Sequence, residues 1–279
     1  MPLARVSEML TDAKKQKKCV AAFNCFNFES IKTVINAGEK LSAPVIVMLY
    51  PTMISHIPLT TFAEITKDLA KKSTQPVGLH LDHCDNYDFI LEAVKAGFQS
   101  VIVDASRYEY SINADLTRRV VNAVKSFGAD VEAELGFVGA GSAASDYTDS
   151  GKYTDPFEAK RFIEDTGIDY LAVAVGNAHG HYSVEPRLDI DCLKAINNQL
   201  KDIPLVLHGG SGIPDEQLKE AVKNGIAKTN FGTDFFNSFY NAHSEYILEE
   251  NKLKNIFGLL TSGENGGLNY AENKILALI

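Results

Sequence analysis

The sequence predicts an α/β protein, a (β/α)8 TIM barrel with additional N- and C-terminal helical segments, in one domain over residues 1–279. Three observations predict it. Short, almost uninterrupted apolar runs recur along the chain, as expected of parallel strands buried on both faces. Amphipathic stretches of helical length separate them and would cover the outer face of such a sheet. Eight strand–helix units follow one another, enough to close a barrel over this length. A doubly wound open sheet shares this periodicity, but no Gly-rich dinucleotide turn follows the first strand.

A leading helix occupies about residues 3–16, and Val20–Asn24 is the first strand. Glu29–Lys40 has helical periodicity, Pro44–Leu49 is a continuous apolar strand and Leu59–Lys72 a helix. Residues 77–83 form the third strand, and the helix over Tyr87–Ala96 stops at Gly97, a residue suited to the left-handed helix end. Ser100–Ala105 is a strand, Ile112–Phe127 a helix ending at Gly128, and Asp130–Leu135 the fifth strand. A glycine- and serine-rich loop then runs from Gly136 to Tyr153. Pro156 opens a helix that reaches Thr166, at a position where its missing N–H costs nothing. Tyr170–Val175, Pro204–His208 and Ile226–Asn230 complete the strands; Leu188–Leu200, Asp215–Lys223 and a segment from Asp234 are helical. Ser262-Gly263-Glu264-Asn265-Gly266-Gly267 reads as a flexible break before an apolar tail, Lys274–Ile279, that docks on the barrel or on another subunit.

Composition narrows the partners. A net charge of −9 offers no basic footprint for nucleic acid, although a local pocket can still be positive. No run approaches the roughly 20 apolar residues that span a membrane, and the N-terminus lacks the apolar core of a signal peptide. Lys14, Lys15, Lys17 and Lys18 suit a solvated helix end. Cys19, Cys25, Cys84 and Cys192 show neither metal-ligand spacing nor a disulfide framework. A cytoplasmic protein is expected, with no nucleic-acid or membrane partner.

The chemistry gathers around Val77-Gly78-Leu79-His80-Leu81-Asp82-His83-Cys84. An apolar strand ends there in a carboxylate beside a histidine, at the barrel end that carries active sites. His83 can bind a metal while Asp82, pointing the other way, moves a proton. Alone, the cluster equally suits a polar strand end whose histidines satisfy backbone groups. The rest of the chain shifts that balance. His179 follows the sixth strand and His208 ends the seventh. Three neutral imidazoles at one barrel mouth, with a fourth position open, describe a catalytic zinc site. His181 competes with His179 for the role, and His80 reads as a buried strand residue. Gly209-Gly210-Ser211-Gly212 and Asn230-Phe231-Gly232-Thr233 follow the last two strands, the usual phosphate site of such barrels.

HLDHC (80–84), GFQSVIVDAS (97–106), VEAELG (131–136), YTDP (153–156), AVAVGNAHGHY (172–182), PLVLHGGSG (204–212) and KTNFGTD (228–234) occur in this order. Together they resemble the class II, metal-dependent ketose-bisphosphate aldolases, the fructose- and tagatose-bisphosphate type, from about Val20 to Phe235. The resemblance implies cleavage of a ketose 1-phosphate or 1,6-bisphosphate to dihydroxyacetone phosphate and an aldehyde through a zinc-stabilised enediolate. It implies one Zn2+ per subunit, admits a monovalent cation, and suggests a homodimer or homotetramer acting on a small sugar phosphate. By motif, His83, His179 and His208 match the metal ligands and Asp82 the catalytic acid/base. Asp104 and Glu134 match carboxylates near the metal that assist ligand exchange. Asn24, Gly180, Gly209, Ser211, Asn230 and Thr233 match positions that hold the substrate or its phosphate.

Elementary chemistry supports the match. Cleavage between C3 and C4 leaves negative charge on the dihydroxyacetone fragment, which a Lewis acid on the C2 and C3 oxygens spreads. A carboxylate must take the C4 hydroxyl proton, and no lysine Schiff base is needed; Lys228 has no obvious neighbour to depress its pKa. Four departures bear on substrate. Residues 137–144 hold no carboxylate where the fructose enzymes carry acidic residues. Ser183 replaces a loop lysine, Gly232 an aspartate before Thr233, and Ser106-Arg107 a serine–histidine pair. Asp146, Tyr147, Asp149 and Tyr153 lie farther along the same loop. Asp146 is the expected loop acid, because a carboxylate needs a smaller pKa shift than a phenol. Two other functions share these residues: an isomerase or epimerase working through an enediolate, and a non-catalytic sugar-phosphate binder. Release of triose phosphate separates the aldolase from both.

Overall fold

Eight parallel strands close on themselves in sequence order, β1 to β8, in the computed structural model. It describes residues 3–139, 153–250 and 254–279. The strands are β1 Val20–Asn24, β2 Val45–Leu49, β3 Val77–Leu81, β4 Ser100–Val103, β5 Asp130–Leu135, β6 Tyr170–Val173, β7 Leu205–Leu207 and β8 Ile226–Phe231. Every strand residue is buried, as the continuous apolar runs require. Closure comes from β1 against β8, with Ala22 opposite Asn230. The open-sheet alternative is thereby excluded.

Two apolar layers hold the barrel. The larger lies between sheet and helices and includes Phe23, Phe62, Phe98, Phe162 and Phe235. The smaller fills the lower barrel, where Val6, Met9 and Leu10 of the helix Val6–Lys15 meet Ala22, Ile46, Met48 and Val206. That helix plugs the bottom. Arg5 pairs with Asp130, and the Ser7 N–H donates to the same carboxylate at 2.9 Å, tying the plug to the start of β5.

Helix starts follow local capping chemistry. Asn27 and Ser30 form a reciprocal capping box before Phe28–Leu41, and Asp155 accepts from the N–H groups of Phe157 and Glu158. Several strands stop short of the apolar run that announces them. β3 ends at Leu81, β4 at Val103, β6 at Val173 and β7 at Leu207. The chain turns out of the ladder at the mouth, through left-handed backbone at His83 (φ 37°) and Gly209 (φ 65°) after β3 and β7. The polar residues expected at strand ends therefore sit just beyond them. A 3-10 segment, Pro51–Ser55, follows β2 and has no clear signal beyond its proline.

The expected break near the C-terminus does not exist. One helix, Ile256–Leu278, runs straight through 262–267. Its glycines serve close packing on the helix Thr233–Leu248: a Cβ on Gly267 would lie 2.1 Å from the Phe239 ring. Lys32 holds Glu264 at 2.9 Å, and the Cys19 N–H donates to Leu278 at 2.9 Å, so the tail docks on this same barrel across the β8–β1 seam. Among the described residues, no helix is long and apolar enough to cross a membrane.

Candidate metal centre and active site

The mouth is built by loops that leave β3 to β8. Left-handed backbone at His83 sends two consecutive side chains to different partners. Asp82 turns toward β1 and β8, where Asn24 Nδ2 donates to Oδ2 at 2.8 Å and Asn230 Nδ2 to Oδ1 at 3.1 Å. His83 turns toward β4, with Nδ1 2.8 Å from Asp104 Oδ2 and Nε2 3.8 Å from Asp82 Oδ1.

The three strand-end histidines converge. Ring centroids of His83 lie 4.5 Å from His179 and 4.6 Å from His208, and those two are 5.7 Å apart. With Glu134 they offer one ligand atom each, all within 4.8 Å of one another. His179 Nε2 is buried and unpartnered, an orphan that native interiors seldom leave without a reason. An imidazole-rich set with one open nitrogen suits a divalent metal such as zinc.

His208 makes two close contacts. Its Nδ1 lies 2.7 Å from Glu134 Oε2 and its Nε2 2.7 Å from Glu132 Oε1. Glu132 Oε2 in turn meets Lys228 Nζ at 2.8 Å, both side chains fully buried. Ser106 Oγ bridges Asp104 (3.0 Å) and Glu134 (2.9 Å).

Charge in this cluster is strongly biased. Burial pushes the Asp82 carboxyl up, but the His83 and His208 imidazoles outweigh it and hold the group below its usual range. Burial likewise opposes the Asp104 carboxylate, which His83 nevertheless draws well down. Burial lowers the His208 imidazole, yet carboxylates on both nitrogens carry it up to about 10. His179, buried beside two other imidazoles and bonded to no carboxylate among the described residues, falls to about 3. A neutral His179 is the form that binds a metal.

A cleft of about 620 Å³ opens above these groups. Asn24, Asp82, His83, Asp104, Glu134, His179, Gly180, Gly209, Ser211, Asn230 and Thr233 all line it. Tyr50, Arg107, Phe137 and Phe236 also belong to its wall. On one side Gly209 comes so close to the Ala178 carbonyl that a Cβ would lie 1.9 Å from its oxygen. On the same side the helix Thr233–Leu248 begins, with the Gly212 N–H donating to Asp234 at 2.9 Å and the Asp234 N–H to Ser211 Oγ at 3.2 Å.

Other residues fall elsewhere. His181 is exposed and lines a separate cavity, which removes it as a competing ligand. His80 is buried, with Nδ1 2.5 Å from Ser100 Oγ. Asp146, Tyr147 and Asp149 lie outside the described residues; Tyr153 lines a second cleft with Glu185 and Arg187 instead. The neighbour of Lys228 is a carboxylate, Glu132, which sequence reasoning missed. Glu132 and Glu134 are two apart on β5 and so share the inward face; that period was the available signal.

The family model described as fructose-bisphosphate aldolase class-II matches residues 4–278. Among solved structures, the YdjI aldolase of Escherichia coli K12 is 33% identical with a TM-score of 0.89, covering 99% of this chain and 97% of that one. A Coccidioides immitis protein assigned as a fructose-1,6-bisphosphate aldolase is 28% identical with a TM-score of 0.87, over 98% and 96% of the two chains. Fructose-bisphosphate aldolase from Campylobacter jejuni, 23% identical with a TM-score of 0.81 over 98% and 93%, shares the fold.

Proposed function

The chain belongs to the class-II fructose-bisphosphate aldolase family, and on that premise we propose that it cleaves a ketose 1-phosphate or 1,6-bisphosphate to dihydroxyacetone phosphate and an aldehyde. One zinc ion per subunit would be held by His83, His179 and His208. The convergence of these imidazoles, with His179 Nε2 unpartnered, carries the reading. A divalent metal bound there supplies a Lewis acid for the ketose oxygens.

The chain's own residues do the rest. Asp82 takes the C4 hydroxyl proton during cleavage and returns it in synthesis. Its two amide donors, Asn24 and Asn230, hold the carboxylate in place and ionised, ready to accept. Asp104 accepts the Nδ1 proton of His83 and so leaves Nε2 free to face the metal. Glu134 stands near enough to serve as an alternative ligand when substrate enters. Gly180, Gly209, Ser211 and Thr233, which line the cleft beside the start of the helix Thr233–Leu248, receive the 1-phosphate. Asp146 is our choice for returning a proton to the three-carbon fragment.

We favour a substrate other than fructose 1,6-bisphosphate. Gly232 and Ser183 stand where the fructose enzymes use an aspartate and a lysine. Arg107 lines the cleft, paired with Asp85. We also propose a homo-oligomer; Tyr240, Leu248 and Phe257 are apolar and exposed on the last two helices.

Triose-phosphate release, measured by a coupled enzyme across a panel of ketose phosphates, tests the whole reading. Turnover should vanish with a chelator and return with zinc or cobalt. Full activity in a preparation shown to be metal-free would refute the metal. Fructose 1,6-bisphosphate emerging with the highest kcat/KM would refute the substrate preference.

A further inference from the structure

We infer that Glu132, with Lys228 as its counter-ion, is a positioning residue that locks His208 in the tautomer presenting Nδ1 to the metal. The inference rests on the three imidazoles holding a divalent metal.

His208 carries a carboxylate on each ring nitrogen, and the two carboxylates differ in place. Glu134 belongs to the converging ligand set and lines the cleft, so Nδ1 is the nitrogen on the metal side. Glu132 does not line the cleft; it lies fully buried inside the barrel, 2.7 Å from Nε2. A ligand imidazole needs one bare nitrogen and a satisfied N–H on the other. Glu132, held as an anion by Lys228 at 2.8 Å, can only accept. The proton must therefore sit on Nε2, and the lone pair on Nδ1.

The rest of the surroundings agrees. His80 Nε2 lies 3.7 Å from Glu132 Oε2, too far to take over the carboxylate. Among the described residues the only cation besides His208 itself that bonds Glu132 is Lys228, which balances the carboxylate once His208 is a neutral ligand. A buried carboxylate and ammonium are a costly way to fill a barrel if packing were their only task, since an apolar pair of the same volume does as well.

The experiment separates positioning from packing. Glu132→Gln alone strands a buried ammonium, so the informative variant is the double Glu132→Gln/Lys228→Met, which removes both charges and keeps the volume. A glutamine amide can either accept from Nε2 or donate to it, so the tautomer is no longer imposed. We expect the metal-free double variant to melt close to the parent, while zinc affinity, read by competition with a chromophoric chelator, falls roughly 10–100-fold. The visible spectrum of bound cobalt should change as well. Zinc affinity and cobalt spectrum equal to the parent would overturn the inference and leave the aldolase reading intact. A parent chain with no zinc affinity would overturn both. Independently of folding in the variant, 15N–1H correlation spectra of the zinc-loaded parent should place the His208 proton on Nε2. A proton on Nδ1 would overturn the assignment.

Discussion

Asp82→Asn is the single change that divides metal binding from chemistry. The proposed metal ligands are imidazoles, so the variant should keep a full complement of zinc by elemental analysis. Turnover should fall roughly 10²–10⁴-fold, the contribution of one positioned acid/base group. Near-parental turnover would take Asp82 out of the mechanism. His83 raises a different question at the same scale. Its backbone is left-handed, a conformation that costs residues bearing a Cβ about 1–2 kcal/mol. Truncation to alanine keeps that strain, and truncation to glycine removes it. The metal-free His83→Gly protein should therefore be more stable than His83→Ala by about 1 kcal/mol, the reverse of their order in a helix. Equal unfolding midpoints for the two would mean that the turn relaxes when the imidazole is lost.

Between elements, the last two helices carry the clearest prediction. Gly267 of Ile256–Leu278 lies against the buried Phe239 ring, with no room for a methyl group. An alanine there overpacks the seam and should destabilise by about 1–3 kcal/mol. At an unhindered helical site the same change would stabilise instead. A raised melting temperature for Gly267→Ala would show that the two helices can separate. This contact also marks where the sequence stops being legible. Strands and most helices announce themselves through apolar period, as at Leu59–Lys72, or through a cap, as at Pro156–Thr166. The glycines of 262–267 carry the composition of a break, and only the facing helix reveals them as packing residues. The histidine cluster was legible because His83, His179 and His208 lie in segments that leave β3, β6 and β7 at the same barrel mouth. Glu132 was not, because its importance depends on two partners, His208 and Lys228, from distant strands.

For the molecule as a whole, buried imidazoles set the response to acid. His80 is neutral and fully buried, and burial beside Lys228 lowers it to about 3 from an ordinary 6.5. Between those values the unfolded chain binds a proton that the native chain refuses, so stability falls as pH drops through this window. The slope from one such group is about 1.4 kcal/mol per pH unit. His179 adds a slope of the same sign in the metal-free protein. His208, raised to about 10, acts oppositely and above this window, its contribution being lost as pH rises from about 6.5. Denaturation of the metal-free His80→Gln variant should show a shallower pH dependence between pH 4 and 6 than the parent. Parallel curves would mean that His80 is protonated inside the fold.

Closure of the barrel through β1 and β8 has a consequence for how the protein is made. Val20 pairs with Lys228, so the first strand waits for nearly the whole chain before its second edge is covered. Without β8, both β1 and β7 would present an unpaired border, the arrangement that invites association between chains. Asn230 arrives with that same last strand, and only then does the Asp82 carboxylate gain its second amide donor. The last hydrogen bond to the Asp82 carboxylate and the sealing of the sheet thus depend on the same strand. Long-range pairing of this kind also makes refolding slow. A chain that stops before residue 226 holds His83, His179 and His208 yet lacks Asn230, so its Asp82 carboxylate has one amide donor fewer.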